Sequence, residues 1–160
     1  MTRGVRNNNP ANIRRGSSWR GLSASQTDKE FCQFCSIEFG IRAFFVLMRT
    51  YHYKYKCNTI GQVLHRFAPL CENNTYAYIA FVTKYLNDNQ TWLISDIQRI
   101  VDTFHLDNYE MKFQETSIVN TWFNKQTPSV LLRAFAKAVF MMESNYKLTD
   151  EQINKAIELL

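Results

Sequence analysis

Between Ser129 and Asn145 the chain reads Ser-Val-Leu-Leu-Arg-Ala-Phe-Ala-Lys-Ala-Val-Phe-Met-Met-Glu-Ser-Asn, an apolar run that ends on a carboxylate. At 3.6 residues per turn, Leu132, Ala136, Val139 or Phe140, and Glu143 fall on one face. Only Arg133 and Lys137 interrupt the run. A helix that is apolar on nearly every side belongs in the middle of a domain, so the remaining chain has to be wrapped around it. Glu143 then stands at the C-terminal end of a buried helix. Apolar surroundings and the negative end of the helix dipole both favour the neutral carboxylic acid there. A carboxyl group held neutral is what a general acid requires. The plainer reading is a helix-end glutamate that reaches solvent.

The bulk properties leave room for such a core. A chain of 160 residues predicts a single domain over 1–160, and 46% hydrophobic with 14% aromatic residues excludes general disorder. No run of about 18 apolar residues occurs, so no membrane-spanning segment is expected. The opening Met-Thr-Arg-Gly-Val-Arg-Asn-Asn-Asn lacks an apolar stretch, so no secretory signal is expected, and a target outside the cytoplasm would have to be reached by other means. The net charge is +5, and Arg3, Arg6, Arg14, Arg15 and Arg20 all precede the first acid, Asp28. Such a start suits a polyanion, whether nucleic acid, phospholipid headgroups or the anionic polymers of a bacterial wall, or else is a solvated, loose terminus. No helix carries a basic recognition face, so nucleic acid is not an expected partner. Cys32 and Cys35 have C-x-x-C spacing, but Cys57 and Cys71 supply no second such pair, so reduced buried thiols and no metal are expected.

Local signals predict a mainly α (α+β) domain with a small N-terminal β element. Asn7-Asn8-Asn9-Pro10 is turn chemistry in an ordered, irregular segment over 1–22. Glu30 to Ser36 reads as a short strand, part of a small hairpin at most. A helix is predicted from Ile37 to about Tyr55, with Ser36 as its cap, Glu38 in its first turn, and Ile41, Phe44 or Phe45, Leu47 or Met48 and Tyr51 as its apolar stripe. Thr59 opens a shorter helix to Phe67, stopped by Pro69. Asn74 or Thr75 caps another through Leu86, with the polar Thr83 on its apolar face. Ile94 to Phe104 looks helical, as does Ile118 to Phe123. Thr127-Pro128 is expected to start the apolar helix, with proline near its first turn. Thr149-Asp-Glu-Gln152 is a capping box that opens an amphipathic helix buried through Ile153, Ala156, Ile157 and Leu160.

Several spaced blocks then resemble one family. They are Arg3-Gly-Val-Arg-Asn-Asn-Asn-Pro-Ala-Asn-Ile-Arg14 with Trp19-Arg-Gly21, and Phe31 through Ala43. Further on come Phe67-Ala-Pro69, Glu72 through Ile79, and Ala138 through Asn145 with the closing helix. In this order they are similar to bacteriophage and prophage proteins of the lysozyme-like, lytic-transglycosylase-like group, whose members are described as virion structural or lytic proteins. The resemblance covers 3–86 and 129–160, and nothing is carried over to 87–128. It implies a lysozyme-like helical domain in which Glu143-Ser144 is the catalytic glutamate-serine pair at a helix end. In most such enzymes the glutamate helix precedes the asparagine-bearing segment of the cleft. The reversed order here implies a circular permutation that brings Asn9-Pro-Ala-Asn12-Ile13 beside Glu143.

Cleaving a glycosidic bond requires protonation of the leaving oxygen while oxocarbenium-like charge develops, and most hydrolases add a second carboxylate as base or nucleophile. Glu38 is the candidate second carboxylate and Glu72 another, although a first-turn glutamate such as Glu38 stabilises a helix start without catalysis. The lytic transglycosylase chemistry implied by the resemblance needs Glu143 alone. Asn9, Asn12, Asn74 and Ser144 are candidate partners for sugar hydroxyls and acetamido groups, and Trp19, Tyr76 and Tyr78 for sugar rings. Asn9 and Asn12 equally suit pinning a turn, and Trp19 and Tyr78 a plain core. The expected function is therefore cleavage of the glycan strand of bacterial peptidoglycan, with no cofactor and no metal. The expected setting is the cytoplasm of an infected or lysogenic bacterium, or a virion. A wall endopeptidase on the same fold, or a non-catalytic virion or wall-binding component, are the alternatives.

Overall fold

The computed structural model describes residues 1–89 and 118–160. The helix expected over Ile94 to Phe104 lies outside them. The protein is mainly α: α1 (Arg3–Arg6), α2 (Ile37–Tyr53), α3 (Ile60–Phe67), α4 (Thr75–Asp88), α5 (Val130–Ser144) and α6 (Asp150–Glu158). A 3-10 turn, Ile118–Thr121, leads into a two-stranded antiparallel hairpin of β1 (Phe123–Asn124) and β2 (Thr127–Pro128). No helix among the described residues is long and apolar enough to cross a membrane. The chain forms two compact units, a terminal one of Met1–Met48 with Val139–Leu160 and a middle one of Arg49–Ala138.

In the terminal unit the first 36 residues are irregular apart from α1, tied by backbone bonds such as Cys32 N to Ile13 O and Phe34 N to Asn7 O, both 2.9 Å. The expected N-terminal hairpin is reduced to two single bridges, Arg14 with Phe31 and Leu22 with Phe34. Side chains take the place of a ladder. Gln26 Oε1 accepts from Gln33 N, Gln33 Oε1 from Asp28 N, and Asp28 Oδ1 from the Glu30 and Phe31 amides. Local side-chain acceptors of this kind compete with strand pairing. The small sheet of the fold therefore lies near residue 125 rather than at the N-terminus.

The terminal core takes Ile41, Phe44, Phe45 and Met48 from α2, Phe140 from α5, and Ile153 and Ala156 from α6, all shielded from solvent. Both adjacent phenylalanines are buried, so α2 is covered over a wider arc than one stripe. Phe44 meets Phe140 edge-on, centroids 5.2 Å apart at 77°, a favoured aromatic geometry. Gly40 allows the N-terminal segment to approach, since a Cβ there would stand 2.0 Å from the Asn8 carbonyl oxygen. The Thr149 box is present in full, with the Thr149 hydroxyl accepting from Gln152 N.

In the middle unit Thr59 caps α3 through a second complete capping box with Gln62, and the Asn74 side chain caps α4 by accepting from Ala77 N. Thr83, polar on an apolar face, is buried but donates its hydroxyl to Ile79 O at 2.7 Å, which removes the cost of burial. Pro128 corrects an expectation. It closes β2, and Ser129 takes the start of α5, its hydroxyl accepting from Leu132 N at 3.3 Å. Proline lacks only an N–H, which the edge of a two-stranded hairpin tolerates. Trp122 and Phe135 pack with centroids 4.9 Å apart.

Candidate active site

Glu143 is the penultimate residue of α5 and is half-buried. Several carbonyls at the end of that helix find partners, as a buried terminus requires. Asn145 adopts a left-handed backbone with φ +48, which asparagine tolerates, and turns the chain so that Tyr146 N bonds to Phe140 O. Asn145 N bonds to Met141 O, and Thr2 donates its hydroxyl to Ser144 O at 3.1 Å. The Glu143 carbonyl is met by Asn12.

Asn12 holds both ends of the same residue. Its Nδ2 donates to the Glu143 carbonyl oxygen at 3.3 Å and to the carboxyl Oε2 at 2.9 Å, across 131 residues of sequence. One amide group thus caps the helix and orients the candidate acid. The geometry depends on a left-handed Asn12, φ +49. Asparagine reaches that conformation at little cost.

Behind this pair lies a crowded polar spot that sequence reasoning missed. Ser144 is buried and its Oγ has no hydrogen-bond partner, and neither has the Oδ1 of Asn12. Both face Gly4. A Cβ built there would stand 2.2 Å from Ser144 Oγ and 2.8 Å from Asn12 Oδ1. Gly4 therefore carries no side chain because the two polar groups beside the acid occupy its space. The only sequence signal was Gly4 within the Arg-Gly-Val-Arg start.

The other candidates divide by their contacts. Asn9 is fully buried, donating to Ile13 O and Cys32 O and accepting from Ile13 N, so it pins the turn and offers nothing outward. Trp19 is half-buried in the terminal unit with its indole nitrogen unpartnered. Tyr78 is 3% exposed and packs against Phe67, a core residue of the middle unit, and Asn74 is the α4 cap. Glu38 sits in the first turn of α2. Lys155 is held above its ordinary pKa chiefly by its hydrogen bond to Glu151, and Glu38 adds a smaller field.

Part of the basic start is tied into the fold. Arg3 forks onto Asp28 with two bonds of 2.7 Å, reaches Glu30 at 2.7 Å, and lies over the Phe31 ring. Asp28 also accepts from Asn7 Nδ2, and the Arg3 guanidinium, then the Phe31 amide, hold its carboxyl well below the usual range. Arg20 donates to Leu159 O. Of the cysteines, Cys32 and Cys57 are buried, and burial pushes both thiols up. Cys35 and Cys71 are exposed, against expectation, because one leads into α2 and the other lies in the turn between α3 and α4. Among the described residues no group of three or more His, Cys, Asp or Glu is placed to hold a metal.

No protein-family model matches the chain. Over 84 residues, half of its length, the chain is 43% identical to "Protein P5" of Pseudoalteromonas phage PM2. The matched stretch is 52% of the phage protein, so the chain spans about half the length of the curated relative it matches. What the chain resembles over that half is thus a protein of a bacteriophage.

Proposed function

We propose that this protein cleaves the glycan strand of bacterial peptidoglycan, as a lytic transglycosylase or muramidase, with Glu143 as acid and then base. The observation that carries the reading is the Asn12–Glu143 bond of 2.9 Å. It joins the asparagine-rich start to the glutamate helix, the two blocks expected to share a cleft in a circularly permuted lysozyme-like domain. A similar protein in a bacteriophage adds weight, since a phage has to breach a wall to enter or leave its host.

Asn12 holds the carboxyl group through Oε2 and so fixes the orientation from which the acid acts. Glu143 gives its proton to the leaving oxygen as the glycosidic C–O bond breaks and charge spreads over the ring. The carboxylate then takes a proton from the sugar's own hydroxyl, whose oxygen closes an anhydro ring on the anomeric carbon. The acid is regenerated and no water is consumed. Glu38 has no step in this sequence. The expected setting is the wall of a host bacterium, reached after lysis begins or from a virion.

Digestion of purified sacculi followed by mass spectrometry tests the reading. Wild-type protein releases anhydro-muropeptides, Glu143→Gln releases none while melting as the parent does, and Glu38→Gln remains active. New reducing ends would make the enzyme a hydrolase, and new amino termini would make it an endopeptidase. Binding without product would leave a non-catalytic wall component. Undiminished cleavage by Glu143→Gln overturns the assignment.

A further inference from the structure

The described residues of the middle unit carry eight lysines and arginines against two acids, Glu72 and Asp88. The N-terminal arginine Arg3, by contrast, is spent on Asp28 and Glu30. The described residues of the middle unit thus carry a net positive charge. An open groove of about 1110 Å³ lies there, formed by the β1–β2 hairpin and the start of α5. Among the described residues its lining holds two cations, Lys125 and Arg133, the latter donating its Nε to Pro128 O at 3.2 Å, two side-chain amides, Asn124 and Gln126, the ring of Phe123, three hydroxyl side chains, and no acid. Arg49 donates to Gln126 Oε1 at 2.6 Å, which fixes that amide and brings a third cation to the hairpin. Tyr53, 52% exposed, lies with its ring 6.3 Å from Phe123 and extends the aromatic surface.

We propose that this groove is a non-catalytic binding site for the acidic glycan of the wall, gripping the strand through sugar rings and stem-peptide carboxylates. The choice of ligand rests on the wall-degrading reading. Each part of the lining has a counterpart in such a ligand. Ring faces take the CH faces of pyranoses, amides and hydroxyls pair with sugar hydroxyls and acetamido groups, and Lys125 and Arg133 meet carboxylates. At about 1110 Å³ and open to solvent, the groove stands near the upper end of the roughly 300–1,000 Å³ range of ligand clefts. Nucleic acid fits less well. A phosphate at every nucleotide calls for a continuous cationic track, whereas these two cations stand among neutral polar groups.

Cosedimentation with intact sacculi, in the Glu143→Gln background so that nothing is digested, tests the groove. Adding Lys125→Gln and Arg133→Gln together is expected to weaken binding at least about tenfold and to flatten its salt dependence. Phe123→Ala should weaken it several-fold at every salt concentration. Lys125 is exposed in the hairpin turn, so Lys125→Gln alone, expected to cost about threefold, guards against a misfolded double variant. Sacculi whose carboxylates have been amidated should bind the parent as poorly as ordinary sacculi bind the double variant. Unchanged binding by all groove variants overturns the proposal and leaves the catalytic reading standing. Loss of binding in these variants, beside a wild-type protein that releases no muropeptide, upholds the groove and sinks the catalysis. Failure of the parent to bind sacculi, or tighter binding to single-stranded DNA that the same variants abolish, overturns the choice of ligand.

Discussion

Replacing Asn12 by aspartate exchanges an amide for a carboxylate of the same shape at the point where Nδ2 lies 2.9 Å from Glu143 Oε2. Aspartate tolerates the φ of +49 there, so the backbone is kept, whereas alanine would add about 1 kcal/mol of left-handed strain and confuse the result. Two carboxyl groups at that distance cannot both ionise freely. At about 4 Å, like charges repel by roughly 1 kcal/mol in water and roughly 4 kcal/mol at an effective dielectric of 20. Glu143 is half-buried, so about 2–3 kcal/mol applies, which is roughly 2 pH units. The shift belongs to the pair, since one proton is shared between the two groups. In Asn12→Asp the second proton of the pair should leave about 2 pH units later than the Glu143 proton leaves in the parent. The alkaline limb of the wall-clearing profile should move the same way. Carboxyl-carbon NMR of protein labelled at glutamate measures the shift even without turnover, and a thermal melt checks the fold. A last titration step of the pair within about 0.5 unit of the parent's Glu143 step would refute the idea that Asn12 governs the acid.

Two further outcomes follow from the terminal unit. Asp28 has a folded pKa below its unfolded one, so it stabilises the fold above the unfolded value and that contribution fades as pH falls toward the folded value. Asp28→Asn should therefore lower the melting temperature most near pH 7, with the gap to wild type narrowing below about pH 4. A gap that widens in acid would reverse the sign of this argument. Gly40→Ala places a Cβ 2.0 Å from the Asn8 carbonyl oxygen, a backbone atom with little freedom to yield. A loss of about 1–3 kcal/mol, or roughly 2–12 °C in melting temperature, is expected by calorimetry, and an unchanged melt would mean that the N-terminal segment does not pack on α2 as described.

Much of the helical framework was legible because its causes are local. The Thr149 box, the Thr59 start and the Asn74 cap each act within one turn, so the residues that create them lie together in sequence. The apolar run of α5 likewise announces its own burial, and Glu143 falls at its end. Elsewhere local reading misled. Thr127-Pro128 looks like a helix start, yet pairing with Phe123 and Asn124 makes it a strand. Glu30 to Ser36 looks like a strand, yet the side chains of Gln26 and Asp28 take up the backbone groups of Glu30, Phe31 and Gln33.

The candidate site divides along the same line. That a carboxylic acid ends a buried helix follows from spacing and hydropathy, which act over a few residues and can be read along the chain. Of the asparagines near the start, Asn9 spends its amide on its own loop and Asn12 turns its amide to the acid 131 residues away. Nothing in their shared turn chemistry distinguishes them. Only the tertiary packing chose, because a remote hydrogen bond forms where backbone conformation and close approach, here a left-handed Asn12 and a bare Gly4, leave one donor within reach.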